Sequence, residues 1–417
     1  MKHKHIILSV ITALLTLVFV EIGLRLLVRP SNNSYGVLFN KDLPPFKLIP
    51  SDIIPEWESG KKRELFDFKV VDGKKLRFDD FFPILRDDPL LGFTVGENYI
   101  STNGWRHSNN FGARSSEPLS PDKPHNRERV LFFGDSYTAG ATIPQDQTII
   151  HYLNEKRPDV EFVNFGVEGY STGQAFLRFR TLKDKLEFDR VFLVFVPNMD
   201  LWRDINVNRY IGGSWAGYYC YNIPVFVIEG GKLELIPPPY GSLEELFEDN
   251  RDSVQSRYRE HLRKYDNYYS SMYESVYLLD NFVVFKLLRK FFNRVKFEYE
   301  RTFGISESVM DARSEAQTVT KGIIDEMGRE AQSNGARFSL IVLPTDSDIR
   351  RYKTEDSYKK SWDEMTRFIC SGEIVCYDFM DDLSGLTEEE LDTGNDGTHY
   401  GPKTNERIAD LILEKSF

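Results

Sequence analysis

Arg129-Val-Leu-Phe-Phe-Gly-Asp-Ser-Tyr-Thr-Ala-Gly140 is the stretch on which the fold turns. Val130 to Phe133 is a short continuous apolar run, the pattern of a parallel strand buried on both faces. The run stops at Gly134 and delivers Ser136 into a tight turn. A serine in such a place can act as a nucleophile if a base is held beside it. A candidate base lies near the other end of the chain, in Asp396-Gly-Thr-His399.

Outward from that strand, strand and helix signals alternate. Residues 148–156 read as a helix that Pro158 terminates, and Val160 to Phe165 as a second strand leading into Gly166-Val-Glu-Gly169. A helix over 172–186 follows, capped by Ser171 or Thr172. Val191 to Val196 is a third strand bounded by Pro197. Ala316 to Ser333 is helical and stops at Asn334-Gly335. Phe338 to Leu343 and Ile374 to Phe379 are the fourth and fifth strands, and Pro402 opens a last helix that runs to about Lys415. This alternation predicts an α/β fold, a three-layer α/β/α doubly wound parallel sheet.

The rhythm breaks between about 205 and 310. Phe226 to Ile236 reads as a hairpin with Gly230-Gly231 at its turn. A long helical region rich in Tyr, Phe, Lys and Arg comes next, apolar nearly all round between Tyr277 and Phe292. Two readings compete for it. A packed insertion covering the active site or a sheet edge is the one favoured here, since aromatic stripes mostly belong to cores. The other lays the segment on a membrane surface with its basic residues toward lipid head groups.

The chain has 417 residues, 41% of them hydrophobic, enough for a large core. Its formal net charge of -11 argues against nucleic acid as a partner, because phosphate recognition needs clustered Lys and Arg. Cys220, Cys370 and Cys376 show no CxxC pair or Cys/His ligand spacing, so a zinc site is not expected. Cys370 and Cys376 are near enough in sequence to bridge, but free thiols are the default expectation. Lys2 and Lys4 precede an apolar run that, counted through Val28, is long enough to span a bilayer. No A-x-A-like cleavage site follows, which favours an uncleaved anchor. Lys2 and Lys4 favour an internal N-terminus, a bias that Arg25 and Arg29 weaken. The expected organisation is a membrane anchor over 1–29, a stalk and entry segment over 30–128, and a catalytic domain over 129–417 outside the cytoplasm. Lys61 to Arg63 and Asp87 to Pro89 read as exposed turns within the entry segment.

Four segments fall at the carboxyl ends of the expected strands, where a doubly wound sheet places its ligand. They are Gly-Asp-Ser136, Asn164-Phe-Gly-Val-Glu-Gly169, Pro197-Asn-Met-Asp200 and Asp396-Gly-Thr-His399. His399 is suited to take the Ser136 proton, and Asp396, three residues upstream, can fix the imidazole tautomer. An oxyanion would need fixed donors. The backbone N–H groups of Ser136 and Gly169 are available in principle, and the Asn198 amide could add a third. Each tripeptide alone is weak, and the combination in this order is specific.

These segments resemble the blocks of the SGNH (GDSL-type) hydrolases, and within them the membrane-anchored bacterial branch linked to exopolysaccharide acylation. Phe132 to Gly140 is similar to the first block, Val163 to Gln174 to the second, and Asp396-x-x-His399 to the last, while Asn103 to Arg114 looks like the prelude of the anchored branch. The resemblance implies Ser136, Asp396 and His399 as a catalytic triad, Gly169 as the oxyanion glycine, and no cofactor. The third block departs: a gapless match on Asp200 puts Met199 at the oxyanion asparagine, whereas a one-residue slip puts Asn198 there. Asn198 is preferred, presented by a bulged strand end. Thr404 stands where the final helix often carries glycine.

The leading functional expectation is a serine esterase removing O-acyl groups, acetyl first, from a cell-surface or secreted glycan. The alternatives are an O-acyltransferase using the same triad, which leaves room for a membrane-bound acyl-transfer partner, and a non-catalytic glycan-binding or assembly component. The partners expected are an acylated glycan or small acyl ester, and the membrane through the N-terminal helix.

Overall fold

The computed structural model describes residues 2–31, 34, 36–48, 68–71, 74–77, 85–101, 104–207, 223–242, 245, 248–303, 309–311 and 313–417. Lys61 to Arg63, Asn103 and Cys220 lie outside the described residues.

Five parallel strands form the central sheet: β1 (Glu128–Phe133), β2 (Val160–Asn164), β3 (Arg190–Phe195), β4 (Arg337–Val342) and β5 (Val375–Asp378), in the order β5-β4-β3-β1-β2. The apolar run of the opening segment suits β1 to an interior place between β3 and β2: Val130 to Phe133 are all fully buried. Phe132 is in register with Phe192 of β3, and their rings stack at 4.9 Å.

The helices are α1 (Lys2–Leu27), α2 (Ile149–Lys156), α3 (Thr172–Leu182), α4 (Pro197–Asp204), α5 (Arg251–Tyr265), α6 (Val283–Phe303), α7 (Glu315–Ser333), α8 (Asp346–Thr354), α9 (Asp356–Ile369) and α10 (Pro402–Ser416). α2 packs with α10, while α3, α4 and α7 pack together. Right-handed crossovers explain the division. The step from β1 to β2 runs one way along the sheet and the step from β2 to β3 runs back, so their helices fall on opposite faces. The chain order reverses between β1 and β3, which makes the crevice beyond their carboxyl ends the natural place for a ligand.

The packed core reaches back before β1. Leu91, Phe93, Ala113 and Leu119 are buried with the sheet. Leu85–Asp88 and Gly92–Val95 form a hairpin. It is held on α3 by hydrogen bonds from Tyr170 Oη to Phe93 O (2.7 Å) and Gln174 Nε2 to Leu91 O (2.8 Å). Asp87 to Pro89 therefore belongs to this hairpin's first strand and turn, with Asp88 accepting the N–H groups of Leu90 and Leu91.

The insertion contains the expected hairpin, Val225–Glu229 with Lys232–Ile236. It packs on α7, with Phe226 against Phe176 of α3, so it covers helices, not the sheet edge. α8 and α9 were not read from sequence. Cys370 and Cys376 are joined in a disulfide, Cα–Cα 5.6 Å, against the expectation of free thiols. The turn after α9 folds back into β5 and brings the two side chains together, a closure that sequence spacing alone does not reveal.

Candidate active site

Ser136 opens a single helical turn, Ser136–Ala139, directly after β1. Asp135 caps it, its Oδ1 accepting the Tyr137 N–H at 2.9 Å. Gly134 is required by close approach. A Cβ there would come 2.2 Å from Thr138 Oγ1 and 2.8 Å from Val194 O. The far end of the turn is gripped by Arg114, whose guanidinium donates to the carbonyls of Ala139 and Gly140 and, at 2.7 Å, to that of Ile143. Burial pushes the Arg114 pKa down, and nearby Arg106 adds to the shift.

Beneath the serine lies a buried ion network. Arg203 Nη1 donates to Asp135 Oδ2 at 2.7 Å, to Tyr170 O at 3.0 Å and to Asp200 Oδ1 at 3.4 Å. All three charged residues are buried. Asp200 Oδ2 also accepts the Val196 N–H at 2.8 Å. Burial, with the nearby Asp135 charge, raises the Asp200 carboxyl well above the usual range.

The loop before α10 brings His399 to the serine. His399 Nε2 lies 2.8 Å from Ser136 Oγ, and His399 Nδ1 lies 2.5 Å from Asp396 Oδ2. An Asp396 carboxylate accepting from Nδ1–H leaves Nε2 as the acceptor for the serine hydroxyl. Asp396 is itself held by its own turn: it accepts the N–H groups of Thr398 (3.0 Å) and His399 (3.1 Å) and the Thr398 hydroxyl (2.8 Å). Partial burial works to raise its pKa, but these bonds and the one from His399 outweigh it and hold the carboxyl well below the usual range. Tyr137 ties this loop to the nucleophile turn. Its hydroxyl donates to Thr398 O at 3.1 Å, and its ring packs 4.8 Å from that of His399. Thr404, the departure in α10, has a local cause: its N–H and hydroxyl bond the Asp392 carboxylate at 2.7 and 2.8 Å, pinning the start of the helix to the loop.

Gly169 has φ +75°, a conformation that favours glycine. It sits in a loop bound on one side to the residue before the serine turn, by Val167 N to Gly134 O at 3.1 Å, and on the other to Arg203 of α4, whose guanidinium donates to Tyr170 O. Its neighbour Glu168 pairs with Arg106 of the prelude.

The third block corrects one expectation. No bulged strand end presents Asn198. α4 begins at Pro197, and Val196 O accepts the N–H groups of Met199 (3.0 Å) and Asp200 (2.9 Å). Pro at the first helical position suits that start. Met199 packs against the hydrophobic core. Asn198 is half-buried, and among the described residues its amide makes no side-chain hydrogen bond.

Sequence reasoning had assigned no role to Arg106, Arg114, Tyr137 or Arg203. Arg203 carried the one usable signal, a position three residues after Asp200 in what proves to be a helix. Among the described residues, no cluster of His, Cys, Asp and Glu is arranged to hold a metal ion.

No family model matches the chain, and no curated protein matches it. Solved structures similar to it include the lipase/acylhydrolase from Enterococcus faecalis, 14% identical with TM-score 0.32, over 69% of this chain and 94% of that one. A psychrotrophic esterase from Pseudoalteromonas sp. is 13% identical with TM-score 0.31, over 69% of this chain and 95% of that one. A member of the lipolytic protein G-D-S-L family from Veillonella parvula is 11% identical with TM-score 0.32, over 69% of this chain and 98% of that one.

Proposed function

We propose that the chain is a serine hydrolase of the SGNH type that removes O-acyl groups, acetyl first, from a glycan outside the cytoplasm. The observation that carries this reading is the row Ser136 Oγ, His399 Nε2 and Nδ1, Asp396 Oδ2, with separations of 2.8 and 2.5 Å. In this reading Ser136 Oγ attacks the ester carbonyl carbon while His399 Nε2 takes the hydroxyl proton. Asp396, an anion at neutral pH, stabilises the imidazolium that forms. The tetrahedral oxyanion takes the N–H groups of Ser136 and Gly169 and the Asn198 amide as donors. Collapse breaks the ester C–O bond, and the imidazolium returns its proton to the departing sugar oxygen. Water, deprotonated by His399, then attacks the acyl-Ser136 carbonyl; the acyl C–Oγ bond breaks, the imidazolium returns the proton to Ser136 Oγ, and the acid leaves.

Two features support a site outside the cytoplasm. Ile7–Leu27 is long and apolar enough to cross a membrane. The Cys370–Cys376 disulfide suits an oxidising compartment.

The test is acetate release by the full chain in lipid nanodiscs, from an O-acetylated oligosaccharide and from p-nitrophenyl acetate. The reading expects turnover of both and none above background for Ser136→Ala. Equal turnover by wild type and Ser136→Ala would refute it. Acetyl transfer to an added acceptor oligosaccharide in place of acetate release would move the reading to an acyltransferase built on the same serine.

A further inference from the structure

The insertion touches the N-terminal helix at a defined height. Ile7–Leu27 measures about 31 Å at the α-helical rise, the thickness of a bilayer's hydrocarbon core. Most of α1 faces outward, with Phe19 72% and Leu26 83% exposed, but Glu21 is buried. Its Oε1 accepts the Val283 N–H at 2.9 Å and its Oε2 the Val284 N–H at 3.0 Å, so a residue of α1 caps the start of α6. Arg25 pairs with Glu21 at 2.6 Å, donates to Asn281 O at 2.6 Å and lies 5.8 Å from the centre of the Phe282 ring. Arg25 is two residues and Glu21 six residues before Leu27, so these contacts lie about 3–9 Å inside the end of the apolar span. For a spanning helix that is the depth at which interfacial elements bury their apolar faces.

The segment that makes these contacts also exposes apolar side chains. Tyr277 is 86% exposed and Leu278 60%, and Leu279 and Phe282 are exposed beside them. Several backbone N–H groups there are bonded within the segment, which lowers the cost of placing it near hydrocarbon. Leu279 N–H donates to Tyr277 O (2.8 Å), Asp280 N–H to Val276 O (3.0 Å) and Phe282 N–H to Leu279 O (2.9 Å). The one acid in the segment, Asp280, is paired with Arg289 at 2.7 Å. Leu278 holds φ +64°, a costly conformation for a branched residue, and its side chain points away from the protein. A cleft of about 450 Å³ behind the loop is lined by Arg259 and Lys286 together with Asp280 and Asn281, which puts cations beside the apolar tip as lipid phosphates require.

We propose that Tyr277–Phe282 is a membrane-inserted loop, entering the leaflet boundary beside the last turns of α1. Its occupant is the bilayer itself. The loop and the anchor make two attachments joined by Glu21 and Arg25, so the catalytic domain is held at one height and orientation over the membrane. The inference rests on the reading of α1 as a spanning helix.

Spin labels test it on the full chain in phosphatidylethanolamine/phosphatidylglycerol vesicles, with Cys220 replaced by serine. Labels go at Tyr277→Cys, Leu279→Cys, Leu15→Cys within the anchor and Lys360→Cys on α9, and collisions with oxygen and with a water-soluble nickel chelate are compared. Labels at 15, 277 and 279 should favour oxygen and the label at 360 the nickel chelate, a reversal in sign of the log accessibility ratio. Nickel preference at 277 and 279 with oxygen preference at 15 would overturn the loop insertion and leave the anchor standing. Nickel preference at 15 would overturn the anchor and the inference together. Dipolar broadening at 277 or 279, lost on dilution with unlabelled chain, would show a second copy on this face and would also overturn it.

Discussion

Ser136 and His399 are held in opposite ways. The serine is buried, and its turn is fixed largely by residues distant in sequence: Arg114 at one end, Arg203 and Asp200 below through the neighbouring Asp135, and the Glu168–Arg106 pair beside the neighbouring loop. The His399 loop is more open to solvent and nearly self-contained, its histidine oriented by an aspartate three residues away that is bonded to the loop's own backbone. The difference suits the chemistry. A nucleophile must meet donors from several loops and needs a scaffold. A base must keep one tautomer and one direction, which a single turn can provide.

Substitutions in the two regions should therefore fail differently. On the base side activity should fall with little loss of fold. His399→Ala is expected to lower kcat by about 10⁴- to 10⁶-fold and Asp396→Asn by about 10⁴-fold, with a smaller loss of thermal stability than Arg203→Met. An equal fall in stability would break the contrast. The same loop predicts acid tolerance. A carboxylate whose folded pKa is depressed contributes stability above its unfolded pKa and loses it only as pH falls through the lower folded value. The Asp396–His399 bond should thus survive at about pH 4, near the pKa of an unfolded aspartate. A downfield His399 Nδ1 proton resonance at that pH, absent in Asp396→Asn, checks this.

On the nucleophile side the first expectation is instability. Arg203→Met leaves two buried carboxylates without their cation and should cost about 3–5 kcal/mol, read from denaturant unfolding. A stable variant that lost only activity would move Arg203 from the scaffold to the chemistry. Asn198→Ala separates the two candidates in α4. It should lower kcat by about 100- to 1000-fold with KM little changed if the amide serves the oxyanion, whereas Met199→Ala should act through packing and stability. The smallest effect is expected where the two regions meet. Tyr137→Phe removes the bond to Thr398 O and should cost about 1 kcal/mol, with a modest fall in activity.

The same contrast governs what could be read from sequence. β1 to β5 were legible because burial on both faces leaves short apolar runs between Gly, Pro and polar breaks. Ser136, Asp396 and His399 were legible because each sits at the end of such a run or in one short turn. α8 was missed because few of its residues are buried. α9 holds a readable stripe at Tyr358, Trp362, Met365 and Ile369. The scaffold of the serine was not legible, since Arg114, Arg203 and Arg106 find partners across loops whose approach only the fold determines. The third block was read as a strand end because Pro197 can stop a strand or start a helix, and the Val196 carbonyl made it a start.

The central claim is that Ser136 is a nucleophile activated by His399. Incubation of the full chain with a fluorophosphonate and mapping of the modified residue by mass spectrometry tests it most directly. The account predicts one adduct, on Ser136, formed quickly in the wild type, far more slowly in His399→Ala, and not at all in Ser136→Ala. An unlabelled Ser136 in folded chain, or labelling as fast in His399→Ala as in wild type, would contradict it.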